Sequence, residues 1–217
     1  MVSTKQVLSK FIEKGIMKAE LNEFFSKEFE DEVYSGMEMK PHEIPVQITV
    51  RVNKTHEVIG ERKSRLNRIK HVLMERFPLL RTGVEINVEM VKNKGLCPKT
   101  QAEYIKAKLI ENVPFRRAVN SVMRSIKESG AQGCVIIVSG KLKGQRARSV
   151  KYADGLLIHT GSSKEDYVKE ALSVVHLKQG VIGIKVRIML PYDPENVNGP
   201  SKVISDKIKI FEPKELY

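Results

Sequence analysis

Strict alternation of apolar and polar residues in two separate stretches constrains the fold of this chain more than any other feature. The alternating apolar positions are Ile44, Val46, Ile48, Val50 and Val52, and then Val84, Ile86, Val88 and Met90. A period of two is that of a β-strand with one buried face. The stretch between them has a helical repeat instead, formed by Leu66, Ile69, Leu73 and Phe77. The pattern therefore predicts two strands joined through helical structure.

Residues on either side of this helical repeat complete a first unit. A short helix is predicted from Thr55 to Gly60, and a second from about Ser64 to Pro78. A short strand holds Met37 and Met39, and it follows an N-terminal helical stretch. The resulting order is α-β-β-α-α-β.

The N-terminal stretch has two apolar faces, which Gly15 is expected to separate by a break or kink. The two faces are formed by Leu8, Phe11 and Ile12, and by Leu21, Phe24, Phe25 and Phe29. Because these aromatic residues follow a helical period, we expect them to lie in the core and not to form platforms for stacking bases.

The second half has its own order, predicted as α-α-β-β-α-β. Helices are indicated by Ala102, Ile105 and Leu109, by Phe115, Ala118, Val119, Val122, Met123 and Ile126, and by Val168, Leu172 and Val175. Strands are indicated over 134–139 and 150–159, paired as a long hairpin, and over 182–190. The predicted organisation is a helical extension over 1–20, domains over 21–92 and 93–191, and an extended tail over 192–217 that is ordered only against a partner.

Net charge narrows the classes of partner. Lys and Arg number 38 against 26 Asp and Glu, which gives a formal net charge of +12. Such a charge indicates a polyanionic partner, with nucleic acid as the first candidate and an anionic membrane surface as the second. Charge that serves solubility alone is the third explanation. No apolar run approaches the roughly 20 residues of a membrane span. Cys97 and Cys134 form no zinc motif, so we expect free thiols, buried or inert, in a reducing compartment. Because the first ten residues also have no apolar block of the signal-peptide type, we expect a cytosolic protein.

The first candidate site is the loop between the two predicted helices of the first unit. Its residues are Gly60, Arg62, Lys63, Arg65 and Arg68. A glycine in a tight helix-loop-helix lets a nucleic-acid backbone approach, and the amides that begin the next helix then face phosphate. An ordinary helical hairpin with a solvated basic face is the alternative.

The second candidate site lies where two predicted strands turn. Residues 139–151 contain no acidic side chain and five basic ones, Lys141, Lys143, Arg146, Arg148 and Lys151. A basic hairpin of this kind neutralises several phosphates together. A phosphate-binding P-loop is not indicated, because the spacing of that motif is absent.

Arg116 and Arg117 form a third candidate site early in a predicted helix. Adjacent helical residues point about 100° apart, so one arginine can face a partner while the other pairs locally. Ordinary surface charge is the alternative. No catalytic, metal or cofactor site is predicted, because the five histidines have no metal-ligand spacing and no catalytic arrangement can be assembled from the sequence.

Several long motifs resemble one protein family. They include Ser139-Gly140-Lys141-Leu142-Lys143-Gly144-Gln145-Arg146-Ala147, then Asp154-Gly155-Leu156, Gly95-Leu96-Cys97, Glu128-Ser129-Gly130-Ala131 and Gln179-Gly180-Val181-Ile182-Gly183-Ile184-Lys185-Val186. Across about residues 10–194 the chain resembles the eukaryotic small-subunit ribosomal protein family numbered three. The resemblance implies an α+β protein with an N-terminal type II KH domain, a C-terminal α/β-sandwich-like α+β domain and an extended tail.

The resemblance also makes the Gly60 loop similar to the GxxG loop of KH domains, with one departure. The fourth position is Lys63 where the motif has glycine. A lysine with a positive φ costs on the order of 1–2 kcal/mol. Either the loop has relaxed, or the lysine supplies a phosphate contact in place of the glycine.

The resemblance implies a structural, non-enzymatic protein that binds rRNA in the head of the small subunit and lines the opening where mRNA enters. It places Arg116 and Arg117 at that opening. Implied partners are rRNA, mRNA, neighbouring head proteins and, through the tail, a WD-repeat scaffold, in cytoplasmic ribosomes with nuclear or nucleolar transit during assembly. Two alternatives stay open: an endonuclease or lyase that acts on damaged DNA, and a free KH-type regulator of mRNAs.

Overall fold

A computed structural model describes residues 4–41, 45–80, 83–142, 144–204, 208, 210 and 211. The chain divides into two compact units, Met1–Lys94 and Gly95–Tyr217. Both units combine helices with a sheet, which confirms the predicted α+β class.

The first unit has the predicted order of elements. Its helices and strands are α1 (Thr4–Glu28), β1 (Tyr34–Lys40), β2 (Val46–Val52), α2 (Thr55–Ile59), α3 (Ser64–Arg76) and β3 (Val84–Met90). The sheet has the order β1-β2-β3, with β1 antiparallel and β3 parallel to the central strand. The parallel pairing follows from the helical connection between β2 and β3, since a tight hairpin can join only antiparallel strands.

The apolar faces of β2, α1 and α3 meet in the core of this unit. Its fully buried members include Leu21, Phe25, Phe29, Ile48, Val50 and Val52. Phe25 and Phe29 stack with ring centroids 5.7 Å apart. The expectation that these aromatic residues belong to the core is confirmed for this pair.

Helix α1 differs from the prediction in two ways. It runs through Gly15 without a break, because a single glycine costs a helix only about 1 kcal/mol and strong helix formers such as Ala19 and Leu21 follow. Phe11 is 77% exposed, so its assignment to the core was wrong. The predicted boundary between residues 20 and 21 also lies within this one helix.

The second unit is a two-layer structure of two helices on a sheet. Its elements are α4 (Pro98–Ile110), α5 (Phe115–Glu128), β4 (Gly133–Gly140), β5 (Arg148–Gly155), α6 (Ser163–Tyr167), β6 (Val168–Leu177) and β7 (Gly180–Met189). The sheet order is β5-β4-β7-β6, and every neighbouring pair is antiparallel. One face of the sheet packs on α4 and α5 through a buried cluster that includes Ile105, Val122, Ile136, Val175 and Ile184.

The helix predicted from Val168, Leu172 and Val175 is instead strand β6. These three positions fit a helical repeat, but Ser173, Val175 and Leu177 also fit a strand with alternate residues toward the helices. Pairing with β7 along its whole length satisfies the backbone of this segment. The period was therefore misassigned, as happens with short apolar runs.

Two further predictions differ from the structure: the second strand of the hairpin is shorter than predicted, and the start of the tail is folded. The hairpin strand predicted to reach His159 ends at Gly155, whose φ of 74° turns the chain out of the sheet. The start of the predicted extended tail is folded onto the second unit. There the Asp193 carboxylate accepts hydrogen bonds from the amides of Glu195, Val197 and Asn198, and the Tyr167 hydroxyl donates to the Lys202 carbonyl over 2.6 Å.

Candidate nucleic-acid interface

Three residues of the loop between α2 and α3 have positive φ. Gly60 has a φ of 65°, Arg62 a φ of 51° and Lys63 a φ of 62°. A Cβ on Gly60 would lie 3.2 Å from the Cβ of Arg65, so the first loop position is both left-handed and crowded. Glycine is the residue that fits this combination.

The backbone conformation of Lys63 shows whether the loop has relaxed at the position where the motif has glycine. With φ 62° and ψ 22° it is left-handed, so the loop has not relaxed to a conformation that lysine prefers. Its side chain and that of Arg62 are exposed. Lys63 also makes no side-chain capping hydrogen bond to α3, so the amides that follow Ser64 receive no cap from it, while the Ser64 amide itself donates to the Glu61 carbonyl. Backbone strain of this kind clusters at binding sites.

Arg65 has a different environment from its basic neighbours. Its guanidinium donates to the carboxylates of Glu32 and Glu28 and to the Glu28 carbonyl, and it lies 5.4 Å from the centre of the Phe29 ring. The hydrogen bond to Glu32 raises the pKa of the Arg65 guanidinium. Arg65 thus ties the start of α3 to the end of α1, whereas Arg68, one turn further along α3, is exposed.

Lys63→Gly is expected to stabilise the protein while it weakens RNA binding. Removing the left-handed lysine saves about 1–2 kcal/mol, and the freedom of glycine costs about 0.5–1 kcal/mol, so unfolding by urea should require roughly 0.5–1 kcal/mol more. Loss of one phosphate contact should reduce the slope of log affinity against log salt by about 0.7–0.9.

The matched control for this change is Lys63→Ala. It removes the same charge but keeps a side chain in the left-handed conformation, so it should weaken RNA binding without the gain in stability. A destabilised Lys63→Gly protein, or undiminished RNA binding by Lys63→Ala, would contradict this interpretation of the loop.

The second candidate site is the turn between β4 and β5. Lys141, Arg146, Arg148 and Lys151 are exposed, and none of these four takes part in an ion pair with another described residue. Lys143 lies outside the described residues. At the foot of the turn, Ser139 and Ser149 face each other with their hydroxyl oxygens 3.1 Å apart. A cluster of cations without acidic partners presents a strong positive potential to solvent.

Gly140 is the last residue of β4, and the turn to β5 begins after it. Its φ is +141°, and a Cβ on it would lie 2.7 Å from the Val181 carbonyl oxygen in β7. A side chain would therefore force β4 and β7 apart.

Arg116 and Arg117 are both exposed in the first turn of α5. The structure brings Arg116 and Lys141 to the rim of one groove in the second unit, together with His176 and Lys178. The last two were missed from the sequence because β6 was assigned to a helix. Alternation through Leu177, followed by the Lys178-Gln179-Gly180 turn, was the signal that could have found them.

Features of other functional classes are few in the described part of the chain. No group of three or more His, Cys, Asp or Glu side chains there could hold a metal ion. None of the described helices is long and apolar enough to cross a membrane. Cys97 and Cys134 are both buried thiols, in agreement with the expectation. Burial, with the nearby Asp154 carboxylate, raises the pKa of the Cys134 thiol, which suits an inert side chain.

Comparison with known proteins agrees with the two-unit architecture. The family described as KH domain matches residues 20–96, and the family described as Ribosomal protein S3, C-terminal domain, matches residues 105–188. A curated relative is the small ribosomal subunit protein uS3 of Encephalitozoon cuniculi (strain GB-M1). It is 50% identical over 215 residues, which are 99% of this chain and 100% of the relative.

Proposed function

The chain belongs to the uS3 family of small ribosomal subunit proteins, and we propose that it is a structural constituent of the small ribosomal subunit that binds rRNA. The observation that carries this proposal is the turn between β4 and β5, where four described cations lack acidic partners. Cations that are not satisfied within the protein are suited to neutralise phosphates and release counterions.

The Gly60 loop is the second proposed rRNA contact. Its left-handed backbone, the uncapped start of α3 and the exposed Arg62 and Lys63 side chains suit a phosphate that approaches the helix N-terminus. Arg68 extends the same basic surface along α3. Arg65 acts indirectly, since its ion pairs with Glu28 and Glu32 position the loop.

Arg116 and Arg117 are proposed to contact mRNA where it enters the subunit. They are exposed at the start of one helix and point in different directions, so together they can touch successive phosphates of a single strand. This contact is electrostatic and steric, and a non-enzymatic role accords with the family.

The other proposed partners are those expected of a protein located in the head of the small subunit. We propose contacts with neighbouring head proteins, a contact of the tail with a WD-repeat scaffold, and residence in cytoplasmic ribosomes with nuclear or nucleolar transit during assembly. No observation favours a lyase that acts on damaged DNA or a free regulator of mRNAs.

Replacing Arg116 and Arg117 with alanine tests the mRNA contact and the ribosomal role together. In cells that express only this variant, the protein should still sediment with small subunits, because its rRNA-binding surfaces are intact. The purified subunits should bind mRNA about 10-fold more weakly at 0.1 M salt, because two phosphate contacts are lost.

The matched control is Lys169→Ala with Lys202→Ala, which removes the same charge from exposed positions elsewhere in the second unit. Wild-type protein that stays at the top of a sucrose gradient would refute the ribosomal role. Normal mRNA affinity of subunits that carry the arginine variant would refute the mRNA contact alone.

A further inference from the structure

The second unit contains a groove of about 640 Å³ that none of the sites above explains in full. It lies between the α4–α5 connection, the start of the β4–β5 turn and the β6–β7 turn, which come together at one end of the sheet. The lining residues used below are Asn112, Phe115, Arg116, Lys141, Leu142, His176, Leu177, Lys178 and Gln179. Its size falls within the range of small-ligand sites, about 300–1,000 Å³.

The charged groups that line this basic groove all have the same sign. They are Arg116, Lys141 and Lys178, and no Asp or Glu is among the lining residues. All three side chains are exposed, so their charges surround the mouth of the groove. The ligand they would attract is an anion.

The interior of the basic groove is apolar. Phe115, Leu142 and Leu177 are half-buried, and each packs against the hydrophobic core of the second unit. A bare phosphate gains no binding energy from such an apolar surface, whereas a flat aromatic group can stack on it. The side-chain amides of Asn112 and Gln179 add hydrogen-bond donors and acceptors beside the apolar surface.

An unpaired nucleotide combines these properties: an anionic phosphate, a flat base and polar groups on the edge of that base. Protein sites for single-stranded RNA commonly place the base on an aromatic side chain and the phosphate near cations. We propose that the basic groove takes one unpaired nucleotide of single-stranded RNA, with the base on Phe115 and the phosphate among Arg116, Lys141 and Lys178. This proposal rests on the proposed function, because it adds a site for the base beside Arg116.

Two walls of the basic groove are joined by the pairing of β4 with β7, which extends to Gly140 and Ile182. The close approach of Gly140 to Val181 fixes the β4–β5 turn against the β6–β7 hairpin. The Lys141 side chain crosses Gly180, where an added Cβ would lie 3.6 Å from its Cδ. A preformed site loses less conformational entropy on binding, which favours a specific subsite over loose electrostatic contact.

A comparison of two oligomers of equal charge tests the proposal. The full-length protein is titrated, with fluorescence anisotropy as the readout, against hexauridylate and against a hexamer of abasic ribose phosphates. Wild-type protein should bind hexauridylate about 10-fold more tightly, since stacking of one base contributes a factor of this order. Phe115→Leu keeps an apolar side chain but removes the ring, and should reduce this ratio to about 3 or less.

Phe77→Leu is the matched control, because Phe77 is also half-buried against a core but lies in the other unit. It should leave the ratio unchanged. Gln179→Ala, at an exposed position, serves if Phe115→Leu does not fold, and should weaken binding of hexauridylate alone about threefold. A wild-type ratio near 1, or a ratio that neither groove variant lowers, would overturn the proposed nucleotide site. Failure of both oligomers to bind would instead refute RNA binding itself.

Discussion

Replacing Lys141, Arg146, Arg148 and Lys151 with glutamine is expected to weaken binding to small-subunit rRNA by about 10²–10³-fold at 0.1 M salt. The four side chains are exposed and have no acidic partner among the described residues, so their charge is fully available to phosphate. Each neutralised phosphate contributes about 0.7–0.9 to the slope of log affinity against log salt. The quadruple variant should therefore lose about 3 from that slope.

The control variant changes net charge equally but leaves the β4–β5 turn intact. Lys127, Lys164, Lys169 and Lys202 belong to other parts of the second unit, and two of them already pair with Asp154 and Asp166. Their replacement with glutamine also lowers the net charge from +12 by four, yet should change affinity by less than about 10-fold because long-range attraction is screened. Filter binding at salt concentrations from 0.05 to about 0.3 M spans the useful range.

Two results would count against a role for the turn. Equal losses in both quadruple variants would mean that only net charge matters. An unchanged salt slope in the turn variant would mean that these four cations do not touch phosphate. Incorporation into small subunits gives a second readout, and we expect the turn variant to be strongly depleted from the subunit fraction.

Arg65→Ala is expected to lower the free energy of unfolding of the first unit by about 2–3 kcal/mol. The reason is the Glu32 carboxylate, which belongs to a side chain only 7% exposed and has one oxygen with no hydrogen-bond partner in the described structure. Without Arg65 its charge would be buried and unpaired. Complete burial would cost about 3–5 kcal/mol, and the 31% exposure of the Arg65 side chain reduces this figure because water can partly replace the guanidinium.

Urea denaturation of the full chain, followed by circular dichroism, measures this loss. Adding Glu32→Gln to Arg65→Ala should restore about half of it, because no buried charge then remains. Arg51→Ala is the matched control: Arg51 pairs with Glu38 across β1 and β2, but both side chains are at least half exposed, so the expected loss is below about 1 kcal/mol. A loss of similar size in both arginine variants would contradict the buried-charge explanation.

The first unit was predictable because each of its elements has a local signal. The alternation of apolar residues through Val46–Val52 and Val84–Met90 is incompatible with a helical repeat. Gly60 and Pro78 mark the ends of the helices between these strands. The left-handed conformation at Lys63 was foreseen as one of two outcomes, since it depends on tertiary contacts. The ion pairs of Arg65 could not be foreseen, because Glu28 and Glu32 are more than 30 residues away in sequence.

The second unit was harder to predict because the apolar pattern of the segment that forms β6 is ambiguous between helix and strand. Val168, Leu172 and Val175 fit a helical repeat whereas Ser173, Val175 and Leu177 fit a strand, and the choice is decided by β7, which needs a partner on its free edge. This one error removed a strand from the sheet and kept His176 and Lys178 from being placed beside Arg116. The turn that contains Lys141 and Arg146 was predicted correctly, because basic residues beside Gly140 and Gly144 form a local signal, whereas Arg148 and Lys151 belong to β5. The basic groove arises only when three separate turns meet.

The crowded backbone at Gly140 anchors one side of the proposed RNA-binding surface. Gly140 is paired with Arg148 across the hairpin and lies close to Val181 on its other side. The backbone from which Lys141 and Arg148 extend is therefore held in place at both ends of the turn. Under the proposed function, contacts that begin from such anchored backbone positions favour an RNA by the path of its phosphates and not by its bases.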